Sequence, residues 1–236
     1  MKTSNHYKDT KNIFDLIAIN QQGFYDANFL GKLKYNPFQL AVRKKTLKIF
    51  KSLQTPKNLE IGCGNGDFLI GLAKKYPELF FMGIDFSEEQ IKLAKGYIED
   101  CKNINYEFGN VLNLELKDNS FDTVFFINTF HHIKLEDQRK TLGELSRIAK
   151  ENILLEIKNE GNFYYKYLRT GLGKHKAYFS LSHSNSSSEK IAVYPTTTSA
   201  VKNILNDYGF KLTKIKPLWL LSFLSPLIVL HFKRKQ

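Results

Sequence analysis

Short apolar runs alternate with amphipathic stretches through the middle of the chain. Five of these runs predict buried strands: one that runs from Leu59 into the turn at residue 62, and others at residues 80–85, 104–108, 121–127 and 153–157. Between them, apolar side chains recur at helical spacing, as in Phe68, Leu69 and Leu72 before Pro77. This alternation predicts a parallel sheet with helices on both faces and right-handed crossovers. Ligands of such sheets bind at the carboxyl ends of the strands, where the strand order reverses.

The regions on either side of this alternation predict further elements. The spacing of apolar residues within 1–54 predicts two helices, and residues 55–236 are predicted to form the main domain. An irregular insertion at about 158–195 interrupts that domain, with a short helix at 162–169 and loops near 171–173 and 180–188. A capped helix and two closing strands, at 210–215 and 227–232, follow the insertion.

Charge is unevenly distributed along the 236 residues, which carry a formal net charge of +12. Residues 1–58 have a net charge of +8, residues 59–160 of −6, and residues 161–236 of +10. Basic flanks attract nucleic acid or anionic membranes, whereas lysines spread over solvated faces produce the same totals without any such partner. Composition alone leaves both interpretations open.

The cysteines and the apolar runs bear on the cellular compartment. Cys63 and Cys101 are the only two cysteines, and their positions suggest neither a disulfide framework nor a metal site. The N-terminus lacks the apolar run of a signal peptide. The longest apolar run, 217–232, contains Pro226 and is short for a membrane span. We therefore expect a cytoplasmic protein without a metal ion.

The first predicted strand leads into a glycine-rich turn, with Gly62, Gly64 and Gly66 at alternate positions before the next helix. Glycines allow a sharp turn and a close approach to a ligand, which the free N–H groups of the helix start then face. The spacing differs from the Gly-x-Gly-x-x-Gly of NAD enzymes, which argues against a nicotinamide oxidoreductase. Asp85, nineteen residues after Gly66, ends the second strand, where an acid can accept hydrogen bonds from ribose hydroxyls.

Together these residues resemble motif I and the acidic loop of the class I S-adenosylmethionine-dependent methyltransferases, in the small-molecule, methyltransferase type 11-like branch. The resemblance implies a Rossmann-like, doubly wound, mostly parallel seven-stranded sheet with an antiparallel last strand. It implies that S-adenosyl-L-methionine is the methyl donor. It also implies that residues 1–54 form a helical cap over the donor and that the insertion forms a substrate lid.

The resemblance assigns roles in donor binding. Glu60 would hold the methionine ammonium, Asp85 the ribose hydroxyls, and Phe86 the adenine face, while the Val111 N–H approaches the adenine edge. Asn110 departs from the family's usual Asp, but its carbonyl can accept the adenine amino hydrogen bond without the charge. The expected donor-binding residues are Glu60, Gly62, Cys63, Gly64, Gly66, Asp85, Phe86, Asn110, Val111 and Asn128.

The fourth strand ends in the sequence Asn-Thr-Phe-His-His-Ile, residues 128–133, which resembles the post-strand motif of the branch that includes quinone methyltransferases. His132 and His131 are the candidate catalytic residues, because a neutral imidazole beside the donor can take a proton from a hydroxyl or phenol. The alternative is that either histidine only lines the pocket or binds backbone. The Asn/Asp-Pro-Pro-Phe/Tyr motif of amino-group nucleic-acid methyltransferases is missing here.

The resemblance favours methylation of a small-molecule or lipid-precursor acceptor on oxygen. An RNA methyltransferase and a non-catalytic S-adenosylmethionine-binding protein are the alternatives. Lysines interleaved with aromatic residues favour an acceptor with a hydrophobic body and a negative group, and peripheral contact with an anionic membrane. Nucleic acid is the less favoured partner because the sequence has no arginine-rich motif or recognisable RNA-binding module.

Overall fold

The computed structural model describes residues 5–21, 37–98, 101–162, 177–180, 190–219 and 224–236. Within these ranges the helices are α1 (Asn5–Gln21), α2 (Pro37–Phe50), α3 (Asp67–Lys75), α4 (Glu88–Gly96), α5 (Leu135–Ile148) and α6 (Thr198–Asp207), with a 3-10 turn at Phe130–His132. The strands are β1 (Lys57–Ile61), β2 (Phe80–Asp85), β3 (Ile104–Phe108), β4 (Phe121–Phe126), β5 (Ala149–Lys158), β6 (Ala177–Ser180), β7 (Lys190–Val193), β8 (Phe210–Pro217) and β9 (Leu227–Arg234).

Seven strands form one sheet in the order β3-β2-β1-β4-β5-β9-β8. The five strands from β3 to β5 are parallel, and β9 lies antiparallel between β5 and β8. The predicted Rossmann-like sheet with an antiparallel last strand is therefore confirmed. The chain order reverses between β1 and β4, so a crevice opens at their carboxyl ends.

Apolar side chains bury both faces of this sheet. Helices α2, α3 and α4 cover one face, on which Phe50, Phe68 and Phe81 belong to a single buried cluster. Helices α5 and α6 cover the other face, where Leu145 and Leu205 join a second cluster. Because both faces are covered, the central strands are almost wholly buried, including polar positions such as Asn58 and Glu60.

The structure differs from the sequence expectations at several element ends. Strand β5 starts at Ala149 rather than 153, because its first residues still pair with β4 and β9. The insertion contains an antiparallel hairpin of β6 and β7, which the sequence did not predict. The expected helix at 162–169 lies beyond the described residues except for Asn162, and the loop at 171–173 lies wholly beyond them. Of the expected loop at 180–188 only Ser180 is described, and it belongs to β6 instead.

No helix in the described part of the chain is long and apolar enough to cross a membrane.

Candidate active site

A cavity opens at the carboxyl ends of β1, β2 and β4, at the reversal of strand order. Residues from the glycine turn, from the ends of β2 and β3, from the segment after β4 and from α1 line it together. The lining residues are Tyr7, Thr10, Phe14, Ile61, Gly62, Gly64, Asp85, Phe86, Gly109, Asn110, Val111, Leu112, Phe126, Asn128, Thr129, His132 and Ile133.

The glycine turn forms the floor of this cavity, and its conformation explains the residue type. Gly62 and Gly66 have φ angles of 73° and 75°, in the left-handed region that L side chains rarely adopt. A Cβ on Gly62 would lie 2.4 Å from the Thr129 side chain, and one on Gly66 would lie 2.3 Å from the Tyr106 ring. The Tyr106 hydroxyl donates to the Gly66 carbonyl at 2.7 Å, which holds the turn from beneath. Tyr106 was not anticipated from the sequence.

Asp85 ties the second strand to the glycine turn. Its Oδ2 accepts from the Gly64 N–H at 2.8 Å, and its Oδ1 accepts from the Ser87 N–H at 2.9 Å. Burial raises the pKa of Asp85 to about 6, although these N–H groups favour the charged form. Each carboxylate oxygen retains a second lone pair, so the side chain can still accept from a ligand's hydroxyls.

Glu60 lies buried on β1, and its Oε2 has no hydrogen-bond partner among the described residues. Burial raises its pKa to about 8, the Arg43 charge opposes this shift, and Asp85 adds to it. Arg43 itself donates to Asp67 at 2.8 Å. A buried carboxyl oxygen without a partner is unfavourable on its own. It suits a cationic ligand group such as an ammonium.

Asn110 and Phe86 border the part of the cavity beyond β2 and β3. The Asn110 Oδ1 accepts from the Leu112 N–H at 2.9 Å, which fixes the side chain in a tight turn and leaves one lone pair on the oxygen. The Phe86 ring meets the Phe14 ring of α1 edge-on, with centroids 6.2 Å apart. An amide oxygen beside apolar walls suits a flat heterocycle that carries an amino group.

The segment after β4 closes the opposite side of the cavity. Asn128 has a φ of 57°, and its N–H donates to the Glu156 Oε2 at 3.1 Å. The Thr129 hydroxyl donates to the Gly62 carbonyl at 3.2 Å, which joins this segment to the glycine turn. The strained Asn128 conformation is thus held by a buried carboxylate from the neighbouring strand.

His132 lines the cavity, with its ring edge-on to Phe14 at 5.4 Å between centroids. Its Nδ1 is buried without a hydrogen-bond partner among the described residues, and the ring also bonds to the Ala192 backbone. Burial, and then the neighbouring His131, Lys158 and His6, hold the pKa of His132 well below its usual range. The imidazole is therefore neutral at neutral pH and carries a free lone pair.

His131 points elsewhere and contributes nothing to the cavity lining. Its Nδ1 lies 3.7 Å from the Glu156 Oε2, and its carbonyl accepts from the Tyr194 N–H at 2.7 Å. Burial lowers the pKa of His131 well below its usual range, and burial raises that of Glu156 to about 7. The structure thus gives different surroundings to two histidines whose ring centroids lie 4.2 Å apart.

Helix α1 supplies Tyr7, Thr10 and Phe14 to the cavity wall. It is fastened at both ends of that wall, since Gln90 Nε2 donates to the Phe14 carbonyl at 3.1 Å and Tyr7 donates to Asp137 at 2.6 Å. The sequence predicts a helical cap here but does not identify which of its residues face the cavity. No local motif distinguishes a wall residue from a packing residue there.

The structure brings eight of the twelve expected site residues into the cavity lining. Gly66 and Cys63 support the turn, and Cys63 is buried with its Sγ 3.5 Å from the Gly64 carbonyl oxygen. Glu60 lies on β1 close enough to Asp85 for their charges to interact. His131 lies beside Glu156.

Comparisons with known proteins agree with this geometry. Residues 59–152, which include the glycine turn, Asp85 and both histidines, match a family model described as a methyltransferase domain. This region of the chain is thus similar to a methyltransferase domain. The resemblance to class I S-adenosylmethionine-dependent methyltransferases is thereby confirmed.

Curated relatives of the chain carry the names of different methyltransferases. Norajmaline N-methyltransferase of Rauvolfia serpentina is 36% identical over 98 residues, which are 40% of this chain and 32% of that protein. Demethylmenaquinone methyltransferase of Listeria monocytogenes is 29% identical over 146 residues, 56% of this chain and 61% of that protein. The chain thus spans about a third to three fifths of the length of these curated relatives.

Solved structures share the fold over almost the whole chain. Magnesium protoporphyrin IX methyltransferase from Synechocystis, with bound S-adenosylhomocysteine, superimposes with a TM-score of 0.71 at 15% identity. That match covers 97% of this chain and 100% of the other. An S-adenosylmethionine-dependent methyltransferase from Methanosarcina mazei has a TM-score of 0.63 at 21% identity, covering 86% and 99%.

Proposed function

We propose that this protein transfers a methyl group from S-adenosylmethionine to oxygen of a small-molecule or lipid-precursor acceptor. The main observation in support is that Asp85, the glycine turn and His132 all line one continuous cavity. Such a cavity holds a donor and a proton acceptor within one enclosed space. The donor supplies an activated methyl group on a sulfonium sulfur.

The residues present fit the donor. The unpartnered Glu60 Oε2 suits the methionine ammonium, and the remaining Asp85 lone pairs suit the ribose hydroxyls. Asn110 and Phe86 suit the adenine amino group and ring face. Val111 contributes apolar surface at the same end of the cavity.

In this proposal His132 is the general base. The acceptor oxygen attacks the methyl carbon, the carbon–sulfur bond breaks with its electron pair left on sulfur, and the hydroxyl proton passes to His132 Nδ1. A base whose pKa is held low accepts protons most readily from an acidic hydroxyl. The low pKa therefore favours a phenol, quinol or enol over an aliphatic alcohol.

The donor-covering elements are part of the same proposal. Residues 1–54 act as a cap. This part of the proposal is supported by the position of Tyr7, Thr10 and Phe14 in the cavity wall. The insertion at about 158–195 acts as the substrate lid. This part is supported by the hydrogen bond between the Ala192 backbone and His132. Apolar cap residues exclude water and hold the acceptor in line, which supplies most of the catalysis that an activated donor needs.

Two alternatives remain distinct in what they predict. An RNA methyltransferase would label RNA, and a non-catalytic binding protein would bind the donor and label nothing. The relatives named as demethylmenaquinone and magnesium protoporphyrin IX methyltransferases favour a small-molecule acceptor for this chain. We also propose a cytoplasmic location with peripheral contact to anionic membranes.

Calorimetric titration with S-adenosylhomocysteine and with NAD tests donor binding. We expect binding of the former only, weakened by about 1–3 kcal/mol in Asp85→Ala, the scale of lost charged hydrogen bonds. NAD binding without S-adenosylhomocysteine binding would refute the proposal.

Incubation with methyl-labelled donor and a cell extract then tests the acceptor class. Label in lipid or small-molecule fractions, and less of it with Asp85→Ala, is the expected result. Label confined to RNA would support the first alternative, and donor binding without label would support the second.

A further inference from the structure

The outer face of α2 carries a row of lysines. Lys44, Lys48 and Lys51 are exposed and recur at intervals of four and three residues, so they share one side of the helix. Val42 and Ile49 occupy the opposite, buried side. Within the described part of the chain, these three lysines make no ion pair.

Strand β8 extends this row across the border of the sheet. Lys214 and Lys216 are two residues apart and so point to the same side. Lys216 pairs with Val229, whose side chain belongs to the core cluster beneath α2. Lys214 Nζ donates to the Ser52 hydroxyl just after α2, at 3.2 Å. The basic face therefore consists of Lys44, Lys48, Lys51, Lys214 and Lys216.

The two chain segments that carry the basic face contain no acidic residue. The sequence contains no Asp or Glu from 37 to 58, and none from 208 to 236. The positive charge of the face is thus uncompensated locally, which complements a polyanionic partner.

Two exposed apolar side chains stand at the end of the basic face. Trp219 is 50% exposed and Leu224 is 38% exposed, after β8 and before β9, at the sheet edge where the cavity opens. Ser225 fixes their backbone, since its Oγ accepts from the Leu218 N–H at 2.7 Å and its carbonyl accepts from Asn159 Nδ2 at 3.1 Å. We call Trp219 and Leu224 the apolar tip.

We propose that the basic face and the apolar tip together form a docking surface for an anionic lipid bilayer. Lysines gain energy from the negative surface potential, and tryptophan and leucine enter the headgroup boundary. Neither signal is strong alone, but a polybasic patch with an apolar anchor gives stable attachment. The surface lies outside the cavity, so this inference does not rest on the proposed methyl transfer.

The arginines favour a bilayer over RNA as the partner. Arginine is the residue best suited to bidentate phosphate contacts and to stacking on bases. Each arginine in the described part of the chain already bonds to a carboxylate or to backbone carbonyls: Arg43, Arg139, Arg147 and Arg234. The basic face offers lysines and an apolar tip, which match a charged surface with an apolar interior.

Trp219 is the only tryptophan in the chain, so intrinsic fluorescence reports on the apolar tip directly. Vesicles of phosphatidylglycerol and phosphatidylcholine, and vesicles of phosphatidylcholine alone, are the two probes. We expect the emission to shift to shorter wavelength only with the anionic vesicles, and brominated acyl chains to quench it. Rising salt should reverse both effects, because the charge attraction is screened.

Matched variants assign the effect to the surface. Lys48→Gln with Lys216→Gln should lower the vesicle partition coefficient, about fivefold for each lysine, in sedimentation assays. Lys140→Gln with Lys202→Gln removes the same charge from exposed sites on α5 and α6 and should have little effect. Trp219→Ala should weaken sedimentation, whereas Phe80→Ala at the opposite sheet edge should not.

An unchanged Trp219 emission with anionic vesicles would overturn the proposal, as would equal losses in the two lysine pairs. Selective binding of a structured RNA that leaves the vesicles unbound would also overturn it. S-adenosylhomocysteine titration of the same samples separates the two proposals. Vesicle failure with intact titration removes the docking surface and the proposed membrane contact but leaves the methyltransferase proposal standing, and the converse removes only the methyltransferase proposal.

Discussion

The two sides of the cavity are built in different ways. The donor side consists mostly of backbone and short contacts within the continuous segment from β1 through α3 to the end of β2, with Asp85 joined to the Gly64 N–H at 2.8 Å. The His132 side gathers side chains from α1, the segment after β4 and β7, which are distant in sequence. A motif can specify the first side locally, whereas the second depends on how separate elements pack. We therefore expect the donor side to tolerate few changes in backbone and the His132 side to control turnover.

The largest effect should come from His132. We expect His132→Ala to lower kcat about 100- to 10,000-fold, the usual contribution of a positioned base, with S-adenosylhomocysteine affinity nearly unchanged. Turnover would be measured with the acceptor fraction that the labelled extract identifies.

His131→Ala is the matched control for that change, because His131 lies outside the cavity lining. It should lower kcat far less. Because the pKa of His132 is held low, kcat/KM of the parent should decline towards acidic pH with an apparent pKa below the ordinary histidine value of about 6.5. Equal losses in both variants would show that the two histidines act as structural supports.

The next largest effect concerns the floor of the donor side. Gly66→Ala would place a Cβ 2.3 Å from the Tyr106 ring at a positive φ. We expect the free energy of unfolding to fall by about 2–5 kcal/mol, from left-handed strain plus overpacking.

Gly96→Ala is the matched control for the turn, because no other heavy atom lies within 4 Å of its Cβ position. That change should leave stability equal or slightly raised, as alanine favours a helix. Denaturant unfolding measures both variants. A Gly66→Ala protein as stable as the parent would mean that Tyr106 moves aside without penalty.

This contrast also explains how much of the molecule the sequence could predict. The strands β1 to β5 and the Gly62 to Asp85 spacing follow from local patterns of apolar residues and turns, and the sheet was confirmed. Tyr106 beneath Gly66, the α1 wall and the β6–β7 hairpin arise from contacts between residues far apart in the chain. The periodicity of a single sequence carries no information about such contacts. The different surroundings of His131 and His132 also depend on packing. Both residues occupy one 3-10 turn, so local structure alone does not distinguish them.

A smaller effect should follow from the charge state of Glu60. Its pKa of about 8 means that the carboxyl is mostly protonated at pH 7 in the free protein. Binding of an ammonium favours the carboxylate, so S-adenosylhomocysteine binding should release protons and tighten as pH rises from 6 towards 8. Calorimetry at pH 7 in buffers of different ionisation enthalpy measures this release.

Glu60→Gln should remove most of that proton release and weaken binding. Asp67→Asn is the comparison, since burial raises the pKa of Asp67 to about 7 although Asp67 does not line the cavity. Asp67 already pairs with Arg43 at 2.8 Å, whereas the Glu60 Oε2 has no partner among the described residues, so Asp67→Asn should leave the proton release of binding unchanged. Proton release that persists in Glu60→Gln would place the ammonium elsewhere.

The smallest effect should come from Asn110→Asp, at the adenine end of the donor side. The Asn110 Oδ1 already accepts from the Leu112 N–H, and an aspartate oxygen can make the same bond. The second lone pair would then meet the adenine amino group with a charge-assisted hydrogen bond, which is the stronger kind. We expect affinity for S-adenosylhomocysteine to be equal or up to about fivefold tighter, measured by calorimetry. Asn113→Asp adds the same charge at a neighbouring exposed position and should change nothing. If Asn110→Asp abolishes binding while Asn113→Asp does not, the adenine amino group lies away from residue 110, and only the Gly62 to Asp85 part of the donor side follows the family pattern.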